Sequence, residues 1–310
     1  MMAAPAPVVI FAYRRPEHLR RTLQSLVQCS GFENSPLILY GDGPKDEGEQ
    51  PGIEATRRVA QEILGDRAKY RFSDVNLGLS QSVIRGVTEA SNRFGRVIVL
   101  EDDLEVAPDF LVYMNAALNR YAGDPSVFQI SGYMFDVPEF ARRRAAVFLP
   151  LTVSWGWATW KRAWDRFDPG ATGWERLLAD EKLRRKFDLA GTYGYSTMLV
   201  RQMTGLGDSW AVRWYWTAFI NDGLTVFPPA SRVRNTGFDG SGTHGSGILR
   251  SFAAKPLEWS ATECNLPDSA RVDAHDLATV KKALWRTNGR WYGAAVDRMR
   301  WIATKWMGSR

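Results

Sequence analysis

The sequence is poor in cysteine and histidine and has no long apolar run. Cys29 and Cys264 are its only cysteines in 310 residues. That excludes a disulfide framework and fits a reducing, cytoplasmic setting. No stretch reaches the roughly 18 apolar residues a membrane-spanning helix needs. The nearest, residues 145–160, is broken by Pro150 and diluted by Thr152, Ser154 and Thr159. The opening "MMAAPAPVVIFAY" lacks the basic start of a secretory signal, so Val8–Tyr13 reads as a first strand. An excess of positive charge is also missing from most of the chain. Residues 271–310 hold nine Lys/Arg against three Asp, and the first 270 balance 31 basic against 31 acidic residues. A general nucleic-acid-binding surface is therefore excluded, and the net charge of +6 belongs to the tail.

What remains is a soluble globular composition whose first 135 residues alternate strand-like and helix-like patterns. Apolar β-rich runs occur at Val8–Tyr13, Leu37–Tyr40, Lys69–Ser73, Val97–Leu100 and Val127–Ser131. Between them, apolar residues recur at helical spacing: Leu19, Leu23 and Leu26 after Pro16, then Ile53, Val59 and Ile63, then Leu79, Val83 and Val87. A fourth helix is expected to open at Pro108. The pattern predicts an α/β fold with a mostly parallel sheet flanked by helices, with ligands bound beyond the carboxyl ends of the strands. From about Val137 the alternation ends in tryptophan-rich segments, so the chain is expected to divide into a first half (1–135), a second half (136–270) and a basic tail (271–310).

The strongest local signal is "VIVLEDDLEVAPDFLVYM" at 97–114. Glu101, Asp102 and Asp103 crowd three acids into one turn directly after a buried strand. Like charges this close oppose folding unless a cation offsets them. Hard divalent cations such as Mg²⁺ or Mn²⁺ take oxygen ligands of this kind, usually one or two protein carboxylates with water and phosphates completing the shell. An acidic, solvated turn leading into a helix is the plain alternative.

The segment closely resembles the "EDDLEVAPDF" stretch of the β-1,2-N-acetylglucosaminyltransferases of N-glycan synthesis, which are metal-dependent, inverting enzymes of the GT-A fold. "VVIFAYRRPEHLRRTLQSL", "LYGDGPKD" and "NLGLSQSVIRGV" resemble the donor-binding segments of such enzymes in the same order, while "SWGWATWKRAWDRF" and "RNTGFDGSGTH" resemble bacterial sugar transferases of surface-polysaccharide synthesis. The resemblance implies a glycosyltransferase using a nucleotide-diphosphate sugar, with UDP the expected nucleotide, and a saccharide or lipid-linked saccharide acceptor. It implies Asp103 as direct metal ligand, with Glu101 and Asp102 contacting the donor sugar and ribose or the metal through water. Arg15 falls near the nucleotide and Asp42 at the uracil, with Asn76 and Gly78 lining the donor site. Asp42, Asn76 and Gly78 also suit plain turns. His244, in a late glycine-rich loop, is a second metal-ligand candidate.

An inverting transfer needs a base for the acceptor hydroxyl. His18 lies in the first helix and His275 near the tail, which leaves carboxylates. The family's base segment corresponds to "GLGDSWAVRWYW", where its two adjacent aspartates are Asp208 and Ser209 here. Asp208 is the candidate, with Asp222 and Asp239 as rivals and helix capping as its alternative role. Trp155 and Trp157 are candidates for a sugar-stacking acceptor wall, although tryptophans at this spacing also suit a core. A sugar nucleotidyltransferase would carry a glycine-rich loop after its first strand, where this chain has "AYRRPEH". A non-catalytic carbohydrate-binding protein explains the thirteen tryptophans but not the clustered acids. In the tail, Leu284, Trp291, Tyr292, Ala295, Met299, Ile302 and Trp306 share one helical face among basic residues. That face either lies on an anionic membrane, making the protein peripheral on its inner face, or packs on the domain.

Overall fold

Side chains of the first strand alternate between two apolar layers, and the rest of the architecture follows from that alternation. The structure is a computed structural model, and it describes residues 4–239 and 264–288. Strand β1 (Val8–Ala12) is buried throughout. Val8 and Ile10 pack on one side of the sheet and Val9 and Phe11 on the other, because successive side chains in a strand point to opposite faces. Strands β2 (Leu37–Gly41), β3 (Ala68–Phe72) and β4 (Arg96–Glu101) run parallel to β1 in the order β3-β2-β1-β4. The crossovers hold α1 (Pro16–Val27), α2 (Gln50–Leu64) and α3 (Leu79–Phe94). Leu19, Leu23 and Leu26 of α1 and Val59 of α2 fill one layer, and Val83, Val87 and Ala90 of α3 fill the other. These elements lie where the apolar spacing predicts them.

Two local details differ from the sequence expectation. A short strand β5 (Leu104–Val106) follows the acidic turn at once, and the next helix, α4 (Phe110–Arg120), starts two residues after Pro108. The intervening residues form a turn in which the Phe110 N–H donates to the Ala107 carbonyl at 2.9 Å.

Beyond β6 (Val127–Ser131) the strand–helix alternation does end, yet sheet formation continues. Strands β7 (Val147–Leu149), β8 (Trp157–Trp160) and β9 (Leu224–Phe227) join the same sheet, giving the order β3-β2-β1-β4-β8-β6-β9-β7. β8 runs antiparallel between β4 and β6, so one eight-stranded sheet is continuous across residue 135. A separate ladder pairs β5 with β10 (Val233–Asn235), matching Leu104 with Asn235. Helices α5 (Lys161–Trp164), α6 (Arg176–Ala179), α7 (Glu181–Phe187), α8 (Tyr195–Met203) and α9 (Trp210–Ile220) complete this half.

Trp157 is a core residue and no part of an acceptor wall. It is 0% exposed, stacked on Trp210 at 5.4 Å between ring centroids, with Trp164 and Trp214 also against it. A ring enclosed on both faces has none left for a sugar. The Trp214 Nε1–H donates to Gln129 Oε1 at 2.7 Å, giving a buried indole the polar partner it needs.

Helix α10 (Ala274–Asn288) brings the first part of the basic tail back onto the domain. Val280, Ala283 and Leu284 enter the apolar cluster formed by Met134, Val137 and Phe140. Arg143 grips Asp276 through two hydrogen bonds of 2.5 and 2.8 Å. Leu284, placed by spacing on an apolar helical face suited either to a membrane or to packing on the domain, takes the second course and faces the protein interior; Trp291, Tyr292, Ala295, Met299, Ile302 and Trp306 lie outside the described residues. Among the described residues no helix is long and apolar enough to cross a membrane. Because Leu284 is 1% exposed, Leu284→Ala is expected to cost about 2–5 kcal/mol of stability. Urea unfolding measures this, and a loss under 0.5 kcal/mol, the usual scale for a surface change, would contradict the packing.

Candidate active site

The carboxyl ends of β1, β2 and β4 open onto one cavity of about 470 Å³. It is bordered by Arg15, Asp42, Asn76, Gly78, Glu101, Asp102 and Asp103 on the sheet side, and by Trp155 and Asp208 on the other. Nine of the eleven residues singled out in the sequence therefore meet at one place. Trp157 is in the core, and His244 lies outside the described residues.

The acids are held by the turn between β1 and α1. Pro16 occupies the first position of α1, and the helix has no side-chain cap from Arg15, whose side chain reaches instead across the sheet end. One nitrogen, Nη2, donates to Asp102 Oδ1 at 2.5 Å and to Asp103 Oδ2 at 2.8 Å. Asp102 Oδ2 accepts from the Tyr13 N–H at 3.1 Å, and its carbonyl from the Thr22 hydroxyl at 2.8 Å. The Asp103 carbonyl accepts from the Thr236 N–H at 2.8 Å, which ties the acidic turn to the end of β10. Burial penalises charge on Asp102 and raises its pKa against the opposing pull of Arg15. Glu101 is pushed up to about 8 by burial, reinforced by the charges of Asp103 and Asp102. Burial disfavours the Arg15 charge, but its two carboxylate partners more than reverse this and raise its pKa.

The residues fit a hard divalent cation at one specific atom. Asp103 is 8% exposed, and its Oδ1 is buried without a hydrogen-bond partner, an arrangement that costs free energy unless something fills it. Among the described residues no three His, Cys, Asp or Glu side chains form a ligand set. One or two carboxylates, with water and phosphate oxygens completing the shell, is the protein share usual for Mg²⁺ and suits Mn²⁺ chemistry.

Asp42 is committed to its own loop. Oδ1 accepts from the Gly43 and Leu77 N–H groups at 2.9 and 2.8 Å, and Oδ2 from the Gly78 N–H at 2.8 Å and Asn76 Nδ2 at 3.2 Å. A carboxylate offers about four acceptor sites, so the loop uses this capacity. Asn76 also donates to the Gly43 carbonyl at 2.8 Å. Gly78, with φ +79 and ψ 154, has a positive-φ backbone at the start of α3 that favours glycine.

Across the cavity, Asp208 is exposed one residue ahead of the Ser209 cap position of α9, and the helix takes no side-chain cap hydrogen bond. Neither rival borders the cavity. Asp222 lies at the far end of α9, 3.6 Å from Lys186, and Asp239 is 3.0 Å from His18. Trp155 stands edge-on to Tyr133 and to Phe238, at 4.6 and 5.5 Å between centroids. Residues the sequence reading passed over include Tyr133, Tyr193, Tyr195 and Gly237. The run "GTYGYS" and the glycine of "RNTGFDG" were the available signals. A Cβ built at Gly237 would fall 2.1 Å from Asp103 Oδ2, so only glycine lets this backbone lie against the acid.

A mostly parallel sheet with an acidic turn at the end of its central strand, facing a cavity beyond the strand ends, defines a GT-A-like fold. Residues 8–202 match glycosyl transferase family 2, and the chain belongs to that family. This bears out the glycosyltransferase resemblance over the nucleotidyltransferase reading. An α-1,3-mannosyl-glycoprotein 2-β-N-acetylglucosaminyltransferase from Arabidopsis thaliana is 26% identical over 195 residues, covering 58% of this chain and 42% of that protein. The chain thus spans less than half of that relative's length. Among solved structures, the mannosyltransferase PcManGT from Pyrobaculum calidifontis, in complex with GDP-Man and Mn²⁺, is 12% identical with 70% of each chain covered and a TM-score of 0.41. TarS from S. aureus is 12% identical over 74% of this chain and 36% of that one, with a TM-score of 0.42.

Asp42→Ala is expected to leave the protein folded and release the loop it holds. Hydrogen exchange at the amides of Gly43, Leu77 and Gly78 should speed up selectively, and unchanged exchange there would contradict the bonding described.

Proposed function

We propose that this protein transfers a hexosyl or N-acetylhexosaminyl unit, with inversion and with a divalent cation, from a UDP-sugar to a saccharide or lipid-linked saccharide acceptor. The observation that carries this reading is the shared cavity. Its sheet side gathers carboxylates and Arg15, suited to a diphosphate and its cation, and its far side offers an exposed carboxylate among aromatic rings. The division into a donor half and an acceptor half at about residue 135 is part of the same reading.

Asp103 would hold Mn²⁺ or Mg²⁺ through its unpartnered Oδ1, with Asp102 and Glu101 facing the ion or the donor sugar. Such an ion supplies Lewis-acid stabilisation to the negative charge on a departing diphosphate. Arg15 adds a fixed cation on the same side, and Arg14 and Lys45 border the same cavity. Asp42, with its oxygens occupied, contributes by holding Asn76–Gly78 at the nucleotide end rather than by accepting from the uracil. On the acceptor side, Asp208 takes the proton of the attacking hydroxyl as the sugar–diphosphate bond breaks. Placing the base opposite the leaving group is what an inverting displacement requires. Trp155 and Tyr133 offer ring faces and edges to the acceptor sugar. Lipid linkage of the acceptor and a peripheral membrane location remain part of the proposal, supported by the basic composition of the tail.

Release of nucleotide from a panel of UDP-, GDP- and TDP-sugars, with and without Mn²⁺, tests the function directly. Metal-dependent release confined to UDP-sugars supports it, and release that ignores chelation or prefers another nucleotide refutes the cation or donor assignment. Asp208→Asn should lower transfer to acceptor by about two to four orders of magnitude, while UDP binding persists. Normal transfer in that variant would remove Asp208 from the chemistry.

A further inference from the structure

We propose that Arg15 is a displaceable counter-ion: it neutralises the Asp102–Asp103 pair while the site is empty of ligand and moves onto the donor's diphosphate when a divalent cation enters, so that cation and nucleotide bind cooperatively. The inference rests on the cation and nucleotide-diphosphate reading given above and concerns how the chain's own arginine couples the two.

The geometry supports exchange over a permanent ion pair. Both contacts to the acids come from a single nitrogen, Nη2. A guanidinium carries five N–H donors in a planar fork, and Arg15 borders the cavity into which an anion would come. Asp103 is half-engaged: Oδ2 is taken by Arg15, while Oδ1 is buried and has no partner. A hard cation entering at Oδ1 meets an acidic pair whose charge is already partly offset, and it must compete with Arg15 for the same carboxylates. A diphosphate resolves that competition, because it supplies oxygen ligands to the cation and a bidentate target for the guanidinium.

The backbone limits where Arg15 can go. Thr236 donates to the Asp103 carbonyl, and a Cβ at Gly237 would sit 2.1 Å from Asp103 Oδ2 and 3.1 Å from Arg15 Nη1. The segment after β10 therefore closes over one side of the contact. The cavity side stays open, which directs a displaced guanidinium toward the place a diphosphate would occupy.

Direct Mn²⁺ binding, followed by titration calorimetry and by the electron paramagnetic resonance of free Mn²⁺, tests this on the full-length protein with and without UDP. In the wild type, UDP should tighten Mn²⁺ binding by about 5–150-fold, the usual span of a coupling between sites. Arg15→Gln should bind Mn²⁺ alone more tightly than the wild type, and UDP should then add less. Thermal unfolding gives a second readout: Arg15→Gln should melt lower without metal, since two buried carboxylates lose their counter-ion, and Mn²⁺ alone should restore it. Arg15→Lys keeps the charge but not the fork and serves if the glutamine variant does not fold; it too should show weakened coupling. Equal Mn²⁺ affinity without UDP and an unchanged coupling factor in both variants would make Arg15 a fixed structural partner and overturn the proposal. Absence of Mn²⁺ binding in every protein, with or without UDP, would overturn the cation reading itself and this inference with it.

Discussion

Asp102 and Asp103 lie side by side in a buried turn, where two adjacent negative charges would oppose folding if nothing offset them. Arg15 offsets them from the neighbouring crossover, and the reach is set by the parallel pairing of β1 with β4, which aligns Phe11 with Glu101. The turn after β1 and the turn after β4 therefore lie together at one end of the sheet. β2, also parallel to β1, brings Asp42 to the same end. A cavity beyond that end inherits charge from three consecutive strands of the sheet, as open α/β sheets do when they bind ligands.

The far wall is positioned by packing rather than by charge. β8 enters the sheet antiparallel to β4 and places Trp157 on the same face as α3, where Trp210 of α9 stacks on it and Trp214 packs against it at a tilt. Asp208 precedes Trp210 by two residues, so the aromatic core fixes where the start of α9, and with it the proposed base, meets the cavity. Trp157 serves the site by anchoring that helix, at a distance from any sugar.

The fold of the first 135 residues was legible because its signals are local. Apolar alternation, helical spacing and the acids after Val97–Leu100 each reflect a constraint within a few residues. The later strands were not legible for the opposite reason. β8 reads "WATW", four residues among tryptophans, and becomes a strand only because β4 and β6 leave a slot between them. The same limit applies to Asp42, which the family resemblance put at the uracil and its own surroundings suited equally to a turn. That its oxygens would be filled by Gly43, Asn76, Leu77 and Gly78 depends on how a loop 34–36 residues further along folds back. Leu284 likewise suited a membrane surface and a protein core equally well, and only its neighbours Val137 and Phe140 decide between them.

The matched family segment ends at residue 202, yet the cavity needs residues beyond it. Asp208 and Trp210 form its far wall, and Thr236 and Gly237 press on the Asp103 turn. The β5–β10 ladder joins the two parts: Leu104, one residue past the acids, pairs with Asn235. Any shift of β10 must move the backbone that holds Asp103, and any shift at Asp103 meets the backbone of Gly237. The chemistry expected at the acids is general to nucleotide-sugar transfer, so that turn is constrained by what it must hold. The later segment is constrained by having to lie against it. The part of the chain with the weaker sequence signal is therefore tied mechanically to the part with the strongest.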